Sequence, residues 1–177
     1  MLNRILFLFV VFAAFSFGAL PAASQGNSRL DRQIRREILT LPYYGVFDAI
    51  GYQTSGRDVT LTGFVTRPTT KRDAEESVAD IEGVGRVTNN IQVLPLSPSD
   101  DRLRIALLRR LSNAGGLYRY FLGANPGIRI IVNRGRVSLE GYVSNRGDAN
   151  LANITARSVP GSFAVSNNLV VDSGTPR

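Results

Sequence analysis

The feature that most constrains this chain is that it states one pattern twice. Val59-Thr-Leu-Thr-Gly-Phe-Val65 returns 78 positions later as Val137-Ser-Leu-Glu-Gly-Tyr-Val143. The same offset carries Val87-Thr-Asn-Asn-Ile-Gln-Val93 onto Val165-Ser-Asn-Asn-Leu-Val-Val171, and Gly83 onto Gly161. One offset held across separated segments means two copies of one small domain. Within each repeat apolar and polar residues alternate, the period of a strand with one buried face. Val59, Leu61 and Val65 share a face with Gly63, as Val137, Leu139 and Val143 do with Gly141.

Around these strands the remaining elements fall into order. In the first copy Asp31 is placed to cap a helix to about Leu41, with Ile34, Ile38 and Leu41 at helical spacing and Pro42 as its stop. A strand over 48–54 turns at Ser55-Gly56-Arg57 into the Val59 strand. Thr70 with Asp73 resembles the start of a second helix whose stripe is Ala74, Val78 and Ile81, and a last strand covers 86–93. The second copy repeats this: a helix from Asp100 or Asp101 to Asn113, strands at 128–132 and 136–143, a helix at 148–158, and a last strand. Aligning Asp31 with Asp101 leaves eight added residues before the second sheet, in or near 113–126. The expectation is an α+β protein of two αββαβ domains, each a three-stranded mixed sheet packed on two helices lying on one face. The crossover helix predicts that first and last strands run parallel.

Composition matters mainly through what it lacks. Histidine and cysteine are both absent, which removes imidazole acid/base catalysis, thiol nucleophiles, thiolate metal sites, disulfides and a lipidated cysteine. Arg4 followed by the phenylalanine-rich apolar run 5–17 and the small residues of 19–24 reads as a cleavable leader, because the run is short for a bilayer span of about 20 residues. The expected layout is a leader at 1–24, a lead-in at 25–29, domains at 30–94 and 100–172 joined by a proline-stiffened linker at 95–99, and a tail at 173–177. The short linker predicts that the domains touch. Of 21 basic and 14 acidic residues only Arg4 lies in the leader, so the mature chain keeps 20 against 14, a net of +6. Export, to the periplasm and without a lipid anchor, takes nucleic acid out of the list of expected partners.

With the elements in place, the chain resembles the BON domain family. The residues that carry the likeness are Val59, Leu61, Gly63, Asn90 and Ile91 in the first copy, and Val137, Leu139, Gly141, Asn168 and Leu169 in the second. Two such domains behind a leader are similar to BON-repeat envelope proteins of the osmotically inducible periplasmic type. The resemblance covers about 30–172. It implies an αββαβ fold, a cell-envelope setting, binding to phospholipid surfaces, no enzyme activity, and no fixed set of site residues. Three departures stand out: no lipobox cysteine, the added residues in the second copy, and Gly161-Ser-Phe-Ala where Gly-Val is usual.

No cofactor, metal or small-molecule substrate is expected. The repeated glycines read as points of close backbone approach. Asn89-Asn90 and Asn167-Asn168 read as satisfying neighbouring backbone groups. Asp100-Asp101 read as the acidic start of a helix, and Gly83-x-Gly85 lacks the strand-and-helix setting of a nucleotide loop. The candidate functional segment is 102–121, where Arg102, Arg109, Arg110, Tyr118, Arg119, Tyr120 and Phe121 combine positive charge with aromatic rings. Ile105 and Leu108 lie off the helix's core stripe of Leu103, Leu107 and Leu111. Such chemistry suits the surface of an anionic phospholipid membrane; the alternative is that Ile105 and Leu108 pack against the first domain and the Tyr118–Phe121 segment is a lid on the core. The other partner class is an envelope protein docked through a sheet or its edge.

Overall fold

The computed structural model describes residues 28–172. The expected leader, lead-in residues 25–27 and the tail at 173–177 lie outside the described residues. Each copy is an α+β unit as expected. The first runs α1 (Ser28–Thr40), β1 (Ala49–Ser55), β2 (Asp58–Val65), α2 (Pro68–Ala79), then a last strand in two pieces, β3 (Val87–Asn89) and β4 (Gln92–Val93). The second runs α3 (Pro98–Ser112), a 3-10 segment (Leu117–Phe121), β5 (Ile128–Asn133), β6 (Arg136–Val143), α4 (Arg146–Arg157) and β7 (Ala164–Val171).

The helices begin earlier than the sequence suggests. Ser97 caps α3, its Oγ accepting the Asp100 N–H at 3.2 Å. Asp100 instead turns inward and accepts the N–H groups of Arg134 and Gly135 at 2.8 and 2.9 Å, which locks the β5–β6 turn. Asn145 caps α4 by accepting the Asp148 N–H. α1 already includes Asp31 in its first turn, and α2 starts at Pro68, where a proline lacks nothing that the helix needs.

β2 and β6 are central, flanked by β1 and β5 antiparallel and by β3/β4 and β7 parallel. The first and last strands of each sheet are therefore antiparallel to one another, which corrects the expectation from sequence. A crossover helix returns the chain to the start of the strand just before it, so the parallel partner is the second strand, not the first. Ile34 and Ile38 of α1 and Ala74 and Val78 of α2 share a core with Val59, Leu61 and Val65. Leu103, Leu107, Ala152 and Ala156 do the same over Val137, Leu139 and Val143. Ile34 and Ile38 thus take the places of Leu103 and Leu107, a shift of 69, so the second copy carries nine added residues rather than eight.

Candidate functional site

The added residues form the 3-10 segment. Gly115 and Gly116 take positive φ of 36° and 87°, which lets the chain leave α3 and turn back. Three residues per turn then put Leu117 and Tyr120 on one side, and both are buried. The Tyr120 hydroxyl donates to Asp148 Oδ2 at 2.5 Å and accepts the Ser144 N–H at 2.8 Å. Tyr120 therefore belongs to the core, as a lid on it, and is not a membrane contact; a tight helical turn, rather than an outward loop, carries it inward. Phe121 is half-buried against the same core. Arg119 is held by Asp148 and by the Gly116 carbonyl, and its hydrogen bond to Tyr120 raises its pKa, with the Tyr120 and Asp148 charges adding. What faces outward is Tyr118, 58% exposed, and Leu122, 64% exposed. Leu122 was missed by sequence because it lies just past the aromatic run.

On α3 the outer stripe is Arg102, Ile105 and Arg109, with Arg110 beside it, all exposed. Ile105 is 42% exposed. Among the described residues no acidic group forms an ion pair with Arg102, Arg109 or Arg110. Leu108 packs against the core of its own domain. Arg104 is the exception among the helix arginines: it is buried, donating to the Val132 carbonyl at 2.7 Å and paired with Asp101. The structure thus gathers charge and exposed apolar surface on α3 and the segment that follows it, but through Tyr118 and Leu122 rather than Tyr120 and Phe121.

A second region was not legible in the sequence. Arg129, in β5 between two buried isoleucines, is only 7% exposed. It reaches into the first domain, donating to the carbonyls of Gly45 and Asp48 at 2.7 and 3.1 Å, and it lies 4.1 Å from the centre of the Tyr44 ring. Burial lowers its pKa, and the same burial raises that of Tyr44 while Arg129 opposes the rise. Beside it the Ile130 N–H donates to the Val46 carbonyl at 2.8 Å. An arginine at an outward strand position looks like solvent-facing charge, and only its counterpart in the first copy, Gly51, marks it as different.

The joined domains enclose a cleft of about 1530 Å³, lined by the β1 edge and α1 on one side and by the open face of the second sheet on the other. Arg35 from α1 lies 5.4 Å from the Tyr142 ring of β6 across it. Among the described residues no group of three acidic side chains stands close enough to hold a metal ion, and no helix is long and apolar enough to cross a membrane.

The comparison with family models agrees with a doubled domain. The family model for the BON domain matches twice, over residues 27–95 and 99–173. Among solved structures, the C-terminal domain of CdsD, the structural protein of the type III secretion system of Chlamydia trachomatis, aligns at 14% identity with a TM-score of 0.32, covering 80% of this chain and 96% of that one. A second structure of CdsD from Chlamydia trachomatis gives 14% identity and a TM-score of 0.32, over 81% of this chain and 92% of that one. No curated protein matches the sequence. With both repeats matched over most of its length, and with two mixed sheets each carrying two helices, this chain belongs to the BON domain family.

Proposed function

We propose that the protein is a non-catalytic periplasmic binder of anionic phospholipid surfaces, exported by its leader, and that its second domain makes the contact. The observation that supports this best is the α3 face, where among the described residues Arg102, Arg109 and Arg110 stand without ion-pair partners around the exposed Ile105, and where Tyr118 and Leu122 project just beyond the helix. Each arginine near an anionic leaflet contributes about 1 kcal/mol, and an exposed tyrosine sits well at headgroup depth. Membership of the BON domain family, which implies a cell-envelope setting and phospholipid surfaces, supports the same reading.

Co-sedimentation with vesicles tests it. The mature chain should pellet with anionic and not with zwitterionic vesicles, and the binding should fade as salt rises. Replacing Arg102, Arg109 and Arg110 together by alanine should weaken it by roughly two orders of magnitude at low salt. Tyr118→Ser with Leu122→Ser should weaken it while leaving the melting temperature in place, whereas Tyr120→Ser should lower the melting temperature itself. Equal binding by wild type and the triple alanine variant would remove this face from the function. The other partner class, an envelope protein, is favoured by a different part of the molecule, the open edge of β1.

A further inference from the structure

Among the described residues β1 is an edge strand, bonded to β2 on one side alone. Its turn has two residues, Gly56 and Arg57, so Ser55 and Asp58 form the first hydrogen-bonded pair and Gln53 and Gly51 follow in step. The N–H and C=O groups of Tyr52 and Thr54 therefore point away from β2, toward the interdomain cleft. The Ile50 N–H, which points the same way, is already taken by the Tyr44 hydroxyl at 3.0 Å.

The second domain shows what this edge can do. Tyr52 corresponds to Ile130 across the 78-residue offset, and the Ile130 N–H donates to the Val46 carbonyl, which belongs to a turning stretch of the first domain laid against the β5 edge. Arg129 clamps that stretch at two carbonyls. At the first domain's edge the clamp position is Gly51, so the backbone is bare and approachable. The surroundings select for charge. Asp31, Glu140 and Asp172 line the cleft, against Arg35 and Arg129. Arg129 is committed to the interdomain seam and Arg35 lies against the Tyr142 ring. Burial and then the Asp31 charge raise the Tyr52 pKa while Arg35 opposes the rise, and the three carboxylates outnumber the two guanidiniums along the cleft although the protein as a whole is basic. The cleft volume of about 1530 Å³ exceeds the range of a small-molecule pocket and suits a length of polymer.

We propose that the β1 edge, inside the interdomain cleft, receives an extended basic segment of a partner polypeptide, which adds a strand to the first sheet by pairing with Tyr52 and Thr54. Backbone pairing supplies the affinity, and alternate side chains of the guest meet Asp31 and Glu140.

The probe is an acetylated peptide of alternating valine and lysine, titrated into the mature chain, with its valine–glutamate counterpart as control. The lysine peptide should bind roughly ten-fold more tightly than the glutamate one, and hydrogen exchange at the Tyr52 and Thr54 amides should slow when it is present. Thr54→Pro removes one outward donor without touching the β2 ladder and should weaken binding about five-fold. Asp31→Asn with Glu140→Gln should erase the preference for lysine. Failure of both peptides to bind, equal binding of both, or binding with those two amides still exchanging freely would each overturn the proposal. Occupation of the cleft by a soluble amino-sugar oligomer, with those amides unprotected, would also overturn it by assigning the cleft to a glycan. If Thr54→Pro fails to fold, the exchange measurement on the unaltered chain decides alone.

Discussion

A β-carbon added at Gly63 would stand 2.1 Å from the Ala49 carbonyl oxygen, and one at Gly141 2.2 Å from that of Gly127. Both residues also sit at positive φ, 116° and 110°. Either Gly→Ala change should cost about 3 kcal/mol or more and lower the melting temperature by roughly 10 °C, measured by calorimetry. Here the sequence was informative, since a glycine repeated at one place in a repeated strand has a backbone reason. The asparagines were legible in the same way. Asn89 donates to the Lys71 carbonyl and accepts the Ile91 N–H, and Asn167 does the same with Ala149 and Leu169. Each ties a helix to the last strand, so Asn89→Ala and Asn167→Ala should each cost about 1–2 kcal/mol in urea unfolding. The tyrosines give a pH dependence. Folding raises the pKa of Tyr44 and Tyr52 above their ordinary value of 10.0. The folded state thus holds their protons when the unfolded chain has released them. Their contribution is complete below pH 10 and is lost as pH climbs through the raised values. Unfolding midpoints should fall as pH rises above 10, and less steeply in Tyr52→Phe.

At the scale of elements, periodicity revealed which segments are helix and strand, because burial on one face leaves a regular trace in the residues. It did not reveal where a helix starts, which depends on a single side chain meeting a free N–H. Asp100 looked like a cap and is instead the support of a turn 34 residues away, a contact that no local pattern records. Ser97→Ala should cost about 1 kcal/mol, and Asp100→Ala, which takes the acceptor from the buried Gly135 N–H and from the Arg134 N–H, about 2–3 kcal/mol. The two copies also solve one problem with different residues. The N–H after the central strand is accepted by Asp48 at Thr66 in the first domain and by the Tyr120 hydroxyl at Ser144 in the second. That exchange is why Tyr120 lies inside, the core-lid alternative for this residue, while Tyr118 and Leu122 of the same insertion face outward.

At the scale of the molecule, Arg129 makes the domains one body. Arg129→Met should leave the Gly45 and Asp48 carbonyls without their donor, cost about 2–4 kcal/mol, and split a single unfolding transition into two. Small-angle scattering should show a larger radius at the same time. The fold of each half was legible from its repeat, and the short linker implied that the halves touch; the way they join was not legible, because it depends on the buried Arg129, on the Ile130–Val46 hydrogen bond and on Val46 and Phe47 packed against the second core.

Val46 and Phe47 come from the first half of the chain yet pack against the core of the second. The second half is therefore unfinished by itself: it lacks a piece of its own interior until the first half presents it. Synthesis supplies the pieces in the right order, with the donor made before the acceptor. A chain cut within 95–97 should yield a first half that folds alone and a second half that stays loosely packed, and mixing them should restore the second half's dispersed amide spectrum without any covalent bond between them.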